Sequence, residues 1–167
     1  MVILQTPRLI LREWTIEDLD KALPIYKDPE VMKCVFPFRP LSERRLRLNI
    51  EKWQADCRTH KWGIWAVILK HNIELIGHCG FDYLDHTENI EFQVLLDRRR
   101  WGLGLGTEIG RETLRYGLEK LGFEEITAVT PPTNPRGARL AEKLGFSFIG
   151  EDVYYGTSMC CYSIRRV

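Results

Sequence analysis

The stretch Trp62 to Leu69 (WGIWAVIL) constrains the fold more than any other. It is almost unbroken in apolar residues, too short for a comfortable helix and rich in strand formers. After a turn at Lys70-His71-Asn72, a second strand is predicted over Ile73 to Leu84, where Gly77 and Gly80 point to bulges or close backbone approach. A third follows over Asn89 to Leu96 (NIEFQVLL). Because each connection is short, the three form an antiparallel meander.

The flanks differ in character. Arg8 to Trp14 alternates and reads as a strand. Thr15 caps a helix, with Asp18 as a short-side-chain capping box, and Leu19, Leu23 and Tyr26 follow at helical spacing until Asp28-Pro29 closes the segment. Ser42 opens a second helix with an apolar stripe of Leu46, Ile50, Trp53 and Cys57. Beyond the meander the pattern predicts a helix over Gly104 to Leu121, a strand over Ile126 to Thr130, a helix over Pro135 to Leu144, and one or two strands from Phe146 onward. The tetrapeptide Lys-Leu-Gly-Phe occurs at 120–123 and 143–146, each time as a helix stop. The fold class is therefore α/β with a mixed sheet, an antiparallel meander followed by α-β-α-β. With 167 residues and no linker, residues 1–167 read as one domain.

Composition excludes several classes. The 24 Lys+Arg against 23 Asp+Glu give no overall reason to expect nucleic acid or an anionic membrane as partner. No apolar run approaches a membrane span, and Met1 to Arg12 lacks a signal-peptide pattern. Five cysteines without a Cys-x-x-Cys pair indicate neither a disulfide framework nor a zinc site, and the four histidines show no ligand spacing, so no metal is implied. A reduced, cytoplasmic protein, monomeric or homodimeric, is the expectation.

The segment Asp97-Arg98-Arg99-Arg100-Trp101-Gly102-Leu103-Gly104-Leu105-Gly106-Thr107-Glu108 carries the chemistry. A strand runs into three arginines, three alternating glycines and a helix start. Glycine permits a tight turn and close approach of backbone N–H groups to a ligand, and the helix N-terminus suits an anion. This predicts a phosphate-binding turn. A Walker loop needs a lysine where Gly106-Thr107 has none, and a dinucleotide fingerprint needs a third glycine where Thr107 stands.

Arg99-x-x-Gly102-x-Gly104 resembles the acetyl-CoA signature of GCN5-related N-acetyltransferases. Thr6-x-Arg8-Leu9-Ile10-Leu11-Arg12, Trp101-Gly102 and Asn134…Leu144-Gly145-Phe146 resemble the branch that acetylates ribosomal-protein N-termini. The resemblance implies that strands 89–96 and 126–130 splay to admit the pantetheine arm of acetyl-CoA. It implies a cofactor set of Leu95, Arg99, Arg100, Trp101, Gly102, Leu103, Gly104, Leu105, Gly106, Thr107 and Asn134. The N–H groups of Trp101 to Thr107 would hold the pyrophosphate, and Arg98 or Arg100 the 3′-phosphate. The serine often found three residues after the asparagine is Gly137 here.

Amine acetylation needs a free base as nucleophile. A lysine amine is about one part in two thousand neutral at pH 7, an α-amine roughly a tenth to a sixth, so an α-amine asks less of a general base. The resemblance implies Glu91, ten residues before Trp101, as the candidate base, directly or through water, with Glu88 second. It also implies a tyrosine as acid, for which Tyr154 or its neighbour Tyr155 is available, and a backbone N–H at a bulge around Val94 to Leu96 would be the oxyanion donor. Arg39, Arg44, Arg45 and Arg47 would favour an acidic peptide if their helix faces the cleft. The expected function is acetyl transfer from acetyl-CoA to a primary amine, on a protein or peptide N-terminus or on a small amine or antibiotic. A CoA-binding sensor without turnover is the non-enzymatic alternative.

Overall fold

The computed structural model describes residues 1–167. Eight strands form one mixed sheet: β1 (Val2–Gln5), β2 (Leu9–Arg12), β3 (Ile64–Leu69), β4 (Glu74–Tyr83), β5 (Ile90–Leu96), β6 (Glu125–Thr130), β7 (Ser147–Tyr154) and β8 (Thr157–Arg165). Their order is β1-β2-β3-β4-β5-β6-β8-β7, antiparallel throughout except where β5 meets β6. One face carries α1 (Leu19–Lys27), the single-turn α2 (Pro29–Met32) and α3 (Glu43–His60). The other carries α4 (Leu105–Arg115), extended by wider π turns over Tyr116–Lys120, and α5 (Pro135–Lys143). No helix is long and apolar enough to cross a membrane.

The apolar run at Trp62–Leu69 has a simple cause. All six residues of β3 are buried, because Ile64, Ala66 and Ile68 pack under α1 and α3 while Trp65, Val67 and Leu69 pack with α4 and α5. The α3 stripe Leu46, Ile50, Trp53 and Cys57 is buried, and Ser42 caps that helix by accepting from Arg45 N–H at 3.1 Å. Asp18 reaches back to Thr15 N–H at 2.8 Å, completing the capping box, and also takes a two-pronged bond from Arg12.

Three features depart from the sequence reading. β1 is an additional four-residue edge strand, largely exposed and held by pairing with β2, so it has no periodic pattern of its own. Asp28-Pro29 closes α1 and also starts α2, with Asp28 accepting from Glu30 N–H and proline at the first helical position. The C-terminal segment is a full hairpin, with β8 inserted between β6 and β7.

Gly77 and Gly80 mark close approach. A Cβ on Gly77 would lie 1.9 Å from the Leu95 carbonyl oxygen, and one on Gly80 2.2 Å from that of Gly63. Since both obstacles are backbone, Gly77→Ala is expected to cost about 3 kcal/mol in urea unfolding. Gly102→Ala meets open space and is limited to its backbone strain, about 1 kcal/mol.

Candidate active site

Between β5 and β6 the sheet comes apart. The two strands share one register pair, Glu91 with Thr127, and diverge toward their C-terminal ends. A cavity of about 490 Å³ passes through this gap. On the α1/α3 face it is walled by the Cys34–Pro37 loop, one side of α3 (Arg45, Asn49, Lys52, Trp53), His78, Asp82 and Glu91. On the other face Thr130, Asn134, Leu140 and Phe146 line it.

Strand alternation decides which backbone groups meet the gap. The Leu95 carbonyl is directed at Gly77 and the Asp97 N–H donates to Ile76 O at 2.7 Å, so both face β4. The Val94 N–H and the Leu96 carbonyl therefore face the gap, and the latter accepts the Trp101 indole N–H at 2.9 Å. This corrects two expectations. Leu95 faces the gap with neither backbone nor side chain, because its side chain is buried under α1 and α3. The expected bulge is absent from β5, whose pairing with β4 is continuous; the irregularity lies in the β3–β4 register, between Val67 and Ile68.

The glycine turn takes its shape from its own backbone. Gly102 and Gly104 have φ of 74° and 77°, and Gly104 sits at the N-cap of α4. Amides from Gly102 to Thr107 have no hydrogen-bond partner in the protein. The Trp101 N–H, expected among them, closes a turn onto Arg98 O at 3.2 Å. Glu108 braces the loop, accepting from Thr6 Oγ1 at 2.6 Å, Arg8 N–H at 2.9 Å and Arg8 Nε at 2.7 Å, while Arg8 also donates to Leu103 O. The sequence reading quoted Thr6 and Arg8 without a role and passed over Glu108.

All three arginines before the loop are already paired. Arg98 meets Asp28 at 3.1 Å, Arg99 meets Asp97 at 2.6 Å and Glu74 at 3.2 Å, and Arg100 meets Glu74. They fasten the turn to β4 and α2. Arg136, which the sequence reading missed, has no carboxylate partner: its guanidinium lies 3.6 Å over the Trp101 ring, in the first turn of α5. Asn134 caps α5 by accepting from Gly137 N–H at 3.2 Å and donates to Thr130 Oγ1 at 2.9 Å. A Cβ at Gly137 would lie 2.6 Å from both Asn134 Nδ2 and Thr130 Oγ1, so any larger residue there has to displace those two side chains.

Glu91 is the buried acid of the cavity, 4% exposed. Desolvation pushes its carboxyl up to about 7, aided by Asp82 and Asp85 and opposed by two donors to Oε2, Tyr155 Oη at 2.5 Å and Gln93 Nε2 at 3.0 Å. Oε1 has no protein partner. Glu88 is exposed in the preceding loop. The tyrosine at the site is Tyr155 and not Tyr154, which ends β7 opposite Thr157 and lines no part of the cavity. Tyr155 and Gly156 form the two-residue β7–β8 turn at φ of 56° and 76°, a left-handed conformation that is costly for an aromatic residue. The Tyr155 N–H bonds Asp85 at 2.6 Å, and Phe36 packs on its ring. Burial and the Glu91 charge hold the phenol well above its ordinary range. Of the arginines expected to favour acidic peptides, only Arg45 lines the cavity, and Arg47 pairs with Glu43.

A parted parallel pair, a buried carboxylate in the cavity that crosses it, and free amides at the N-terminus of α4 together suit a thioester-using acyltransferase. The acetyltransferase (GNAT) domain profile matches residues 8–147, and the chain belongs to this family of acetyl-CoA-dependent N-acetyltransferases. An uncharacterized N-acetyltransferase, p20, of Bacillus licheniformis is 31% identical over 150 residues, covering 87% of this chain and 83% of that protein. A GNAT-family acetyltransferase from Bacillus anthracis superposes with a TM-score of 0.84 at 23% identity, covering 99% and 98% of the two chains. A RimL ribosomal L7/L12 α-N-protein acetyltransferase, solved with coenzyme A, superposes with a TM-score of 0.83 at 12% identity, covering 99% and 98%.

Glu91 holds its proton in the folded state to a higher pH than in the unfolded chain, where it titrates near 4.3. Its contribution to stability therefore falls as pH rises from about 4.5 through 7. Glu91→Gln is expected to be more stable than the parent above pH 7, by on the order of 1–3 kcal/mol, with the advantage vanishing below pH 4.5 in chemical denaturation.

Proposed function

We propose that the enzyme acetylates the α-amine of a protein or peptide N-terminus. The observation that carries this reading is Glu91, a buried carboxylate whose Oε1 is unpartnered inside the cavity that crosses the sheet. A base near 7 is matched to an α-amine of pKa 7.7–8.0 and poorly matched to a lysine at about 10.4.

The residues fit acetyl-CoA, which supplies the thioester carbonyl that the amine attacks and the thiolate that leaves. Amides 102–107, which have no partner in the protein, would hold the pyrophosphate, with Arg136 over Trp101 as the unpaired cation. The open edge of β5 accommodates an extended arm. Glu91 Oε1 takes the ammonium proton, through a water where the amine lies nearer Val94. The Val94 N–H faces the gap as donor to the oxygen that gains negative charge. Tyr155 holds Glu91 in place and is the hydroxyl adjacent to it. Asp97, Arg98, Arg99 and Arg100 shape the turn.

Binding and turnover measurements test this. CoA at a hundred times its dissociation constant should stabilise the protein by about 2.7 kcal/mol, visible as a rise in melting temperature that ATP and NAD do not reproduce. Arg136→Ala is expected to weaken CoA about tenfold by calorimetry and Arg99→Ala less than threefold; the reverse order would return the phosphate to the arginine run. Glu91→Gln should lower kcat on an N-terminal peptide by a factor of about 10²–10⁴ while CoA affinity stays within twofold. The activity of the parent should rise with pH through about 7. Faster turnover of lysine side chains than of α-amines would overturn the N-terminal reading.

A further inference from the structure

The α1/α3 half of the cavity contains a buried polar pair that the acetyl-transfer chemistry leaves unused. Tyr26 Oη and His78 Nδ1 are 2.6 Å apart, and both residues line the cavity. His78 is 3% exposed, and Tyr26 and Trp53 pack on its ring. Tyr26 Oη has no other partner in the protein, and with its proton assigned to His78 Nδ1 the hydroxyl donates and the ring accepts. An imidazole that accepts at Nδ1 and is neutral carries its hydrogen on Nε2. Burial keeps this ring neutral, lowering its pKa to about 3. Nε2 has no hydrogen-bond partner in the protein, which leaves a fixed N–H donor at the cavity wall.

Register places that donor. His78 pairs with Leu95 across β4 and β5, one residue beyond Val94, whose N–H faces the gap. Glu91 lies three residues to the other side of Val94, roughly 10 Å along the strand. The His78 end is thus nearer to where the amine attacks than the base is. Two further groups of the same wall, the side chains of Arg45 and Asn49 on α3, make no hydrogen bond within the protein, and both supply N–H donors. The carboxylates Asp82, Asp85 and Glu91 collect at the opposite end.

We propose that the His78 Nε2–H donates a hydrogen bond to a carbonyl or carboxylate oxygen of the acceptor, so that the enzyme selects amines with such an oxygen adjacent to the amine-bearing carbon. The inference rests on the N-acetyltransferase reading of the cavity and narrows its acceptor to α-amino carbonyl compounds. An aliphatic amine would leave this buried N–H without a partner, a loss felt as reduced binding and turnover. His78 acts here as a specificity residue, and Tyr26 positions it by fixing the ring tautomer.

The experiment compares three matched amine pairs: alaninamide with ethylamine, serinamide with ethanolamine, and phenylalaninamide with phenethylamine. In each pair the carboxamide alone is removed. Amine basicity also differs within a pair, but equally for every enzyme variant, so the change in preference between variants isolates the histidine. The parent's kcat/KM preference for the amides should fall about tenfold in His78→Leu. His78→Gln, which restores an N–H donor, should recover part of it, and Tyr26→Phe should lose part of it. CoA affinity measured by calorimetry reports whether each variant is folded. An unchanged preference in His78→Leu overturns the inference while leaving the acetyltransferase reading intact; turnover of none of the amines by the parent counts against the acceptor reading itself. A second readout does not depend on turnover. In CoA-saturated protein, the ¹⁵N resonance of His78 Nε2 should move on adding serinamide and stay in place with ethanolamine. An Nε2 that is unprotonated, or indifferent to serinamide, would overturn the proposal.

Discussion

The structure depends on a failure of pairing. Backbone N–H and C=O groups need partners wherever they are buried, and a sheet ordinarily supplies them from the next strand. Between β5 and β6 the ladder lapses after the Glu91–Thr127 pair, leaving one edge of β5 open inside the molecule. Such an edge would be a liability on the surface. Here it is flanked by two packed cores and continues into a turn whose amides are also unpaired. An extended molecule with an anionic head and an amide-bearing arm would satisfy both sets of groups at once, as the proposed reading of the site requires.

Rigidity around that opening comes from interactions far from the reacting atoms. Glu108 ties the glycine turn to the chain between β1 and β2, and Glu74 ties Arg99 and Arg100 to β4. The arginines therefore hold the amides in place, with their charge already matched. The same division recurs at the base. Tyr155 occupies a left-handed turn that asparagine or glycine would adopt with less strain, and its hydroxyl is held against Glu91. Backbone strain in a hairpin thus goes together with an oriented carboxylate across the sheet.

Particular residues show how much was legible from the chain itself. The meander, the two capped helices and the glycine turn follow from local rules: alternation, helical spacing, Ser42 and Asp18 as caps, and glycine where φ is positive. Glu91 was legible as a strand residue ten positions before Trp101 through family resemblance, and its burial agrees with that role. Arg99 and Arg100 pair with acids, and Leu95 packs into the core, for a reason the sequence does not display. A basic or apolar residue beside a phosphate turn has no mark in the sequence to say whether its partner is a ligand, a carboxylate on another strand or the core. The choice between Tyr154 and Tyr155 turned on a single residue of hairpin register, which reverses the side a side chain takes.

By itself the sequence determined the elements, the antiparallel meander, the position of the glycine turn and the family. Those are properties of neighbours a few residues apart, where steric and hydrogen-bonding rules act directly. Only the tertiary structure decided which groups are spent and which are free. It paired the three arginines with acids and left Arg136 alone, turned Val94 and not Leu95 toward the gap, buried Glu91, and brought Tyr26 within hydrogen-bond distance of His78 at a sequence separation of 52. The physical reason is that charge state, solvation and hydrogen-bond satisfaction depend on what lies within a few ångströms in space, and pairs so distant along the chain leave no local pattern by which to read it.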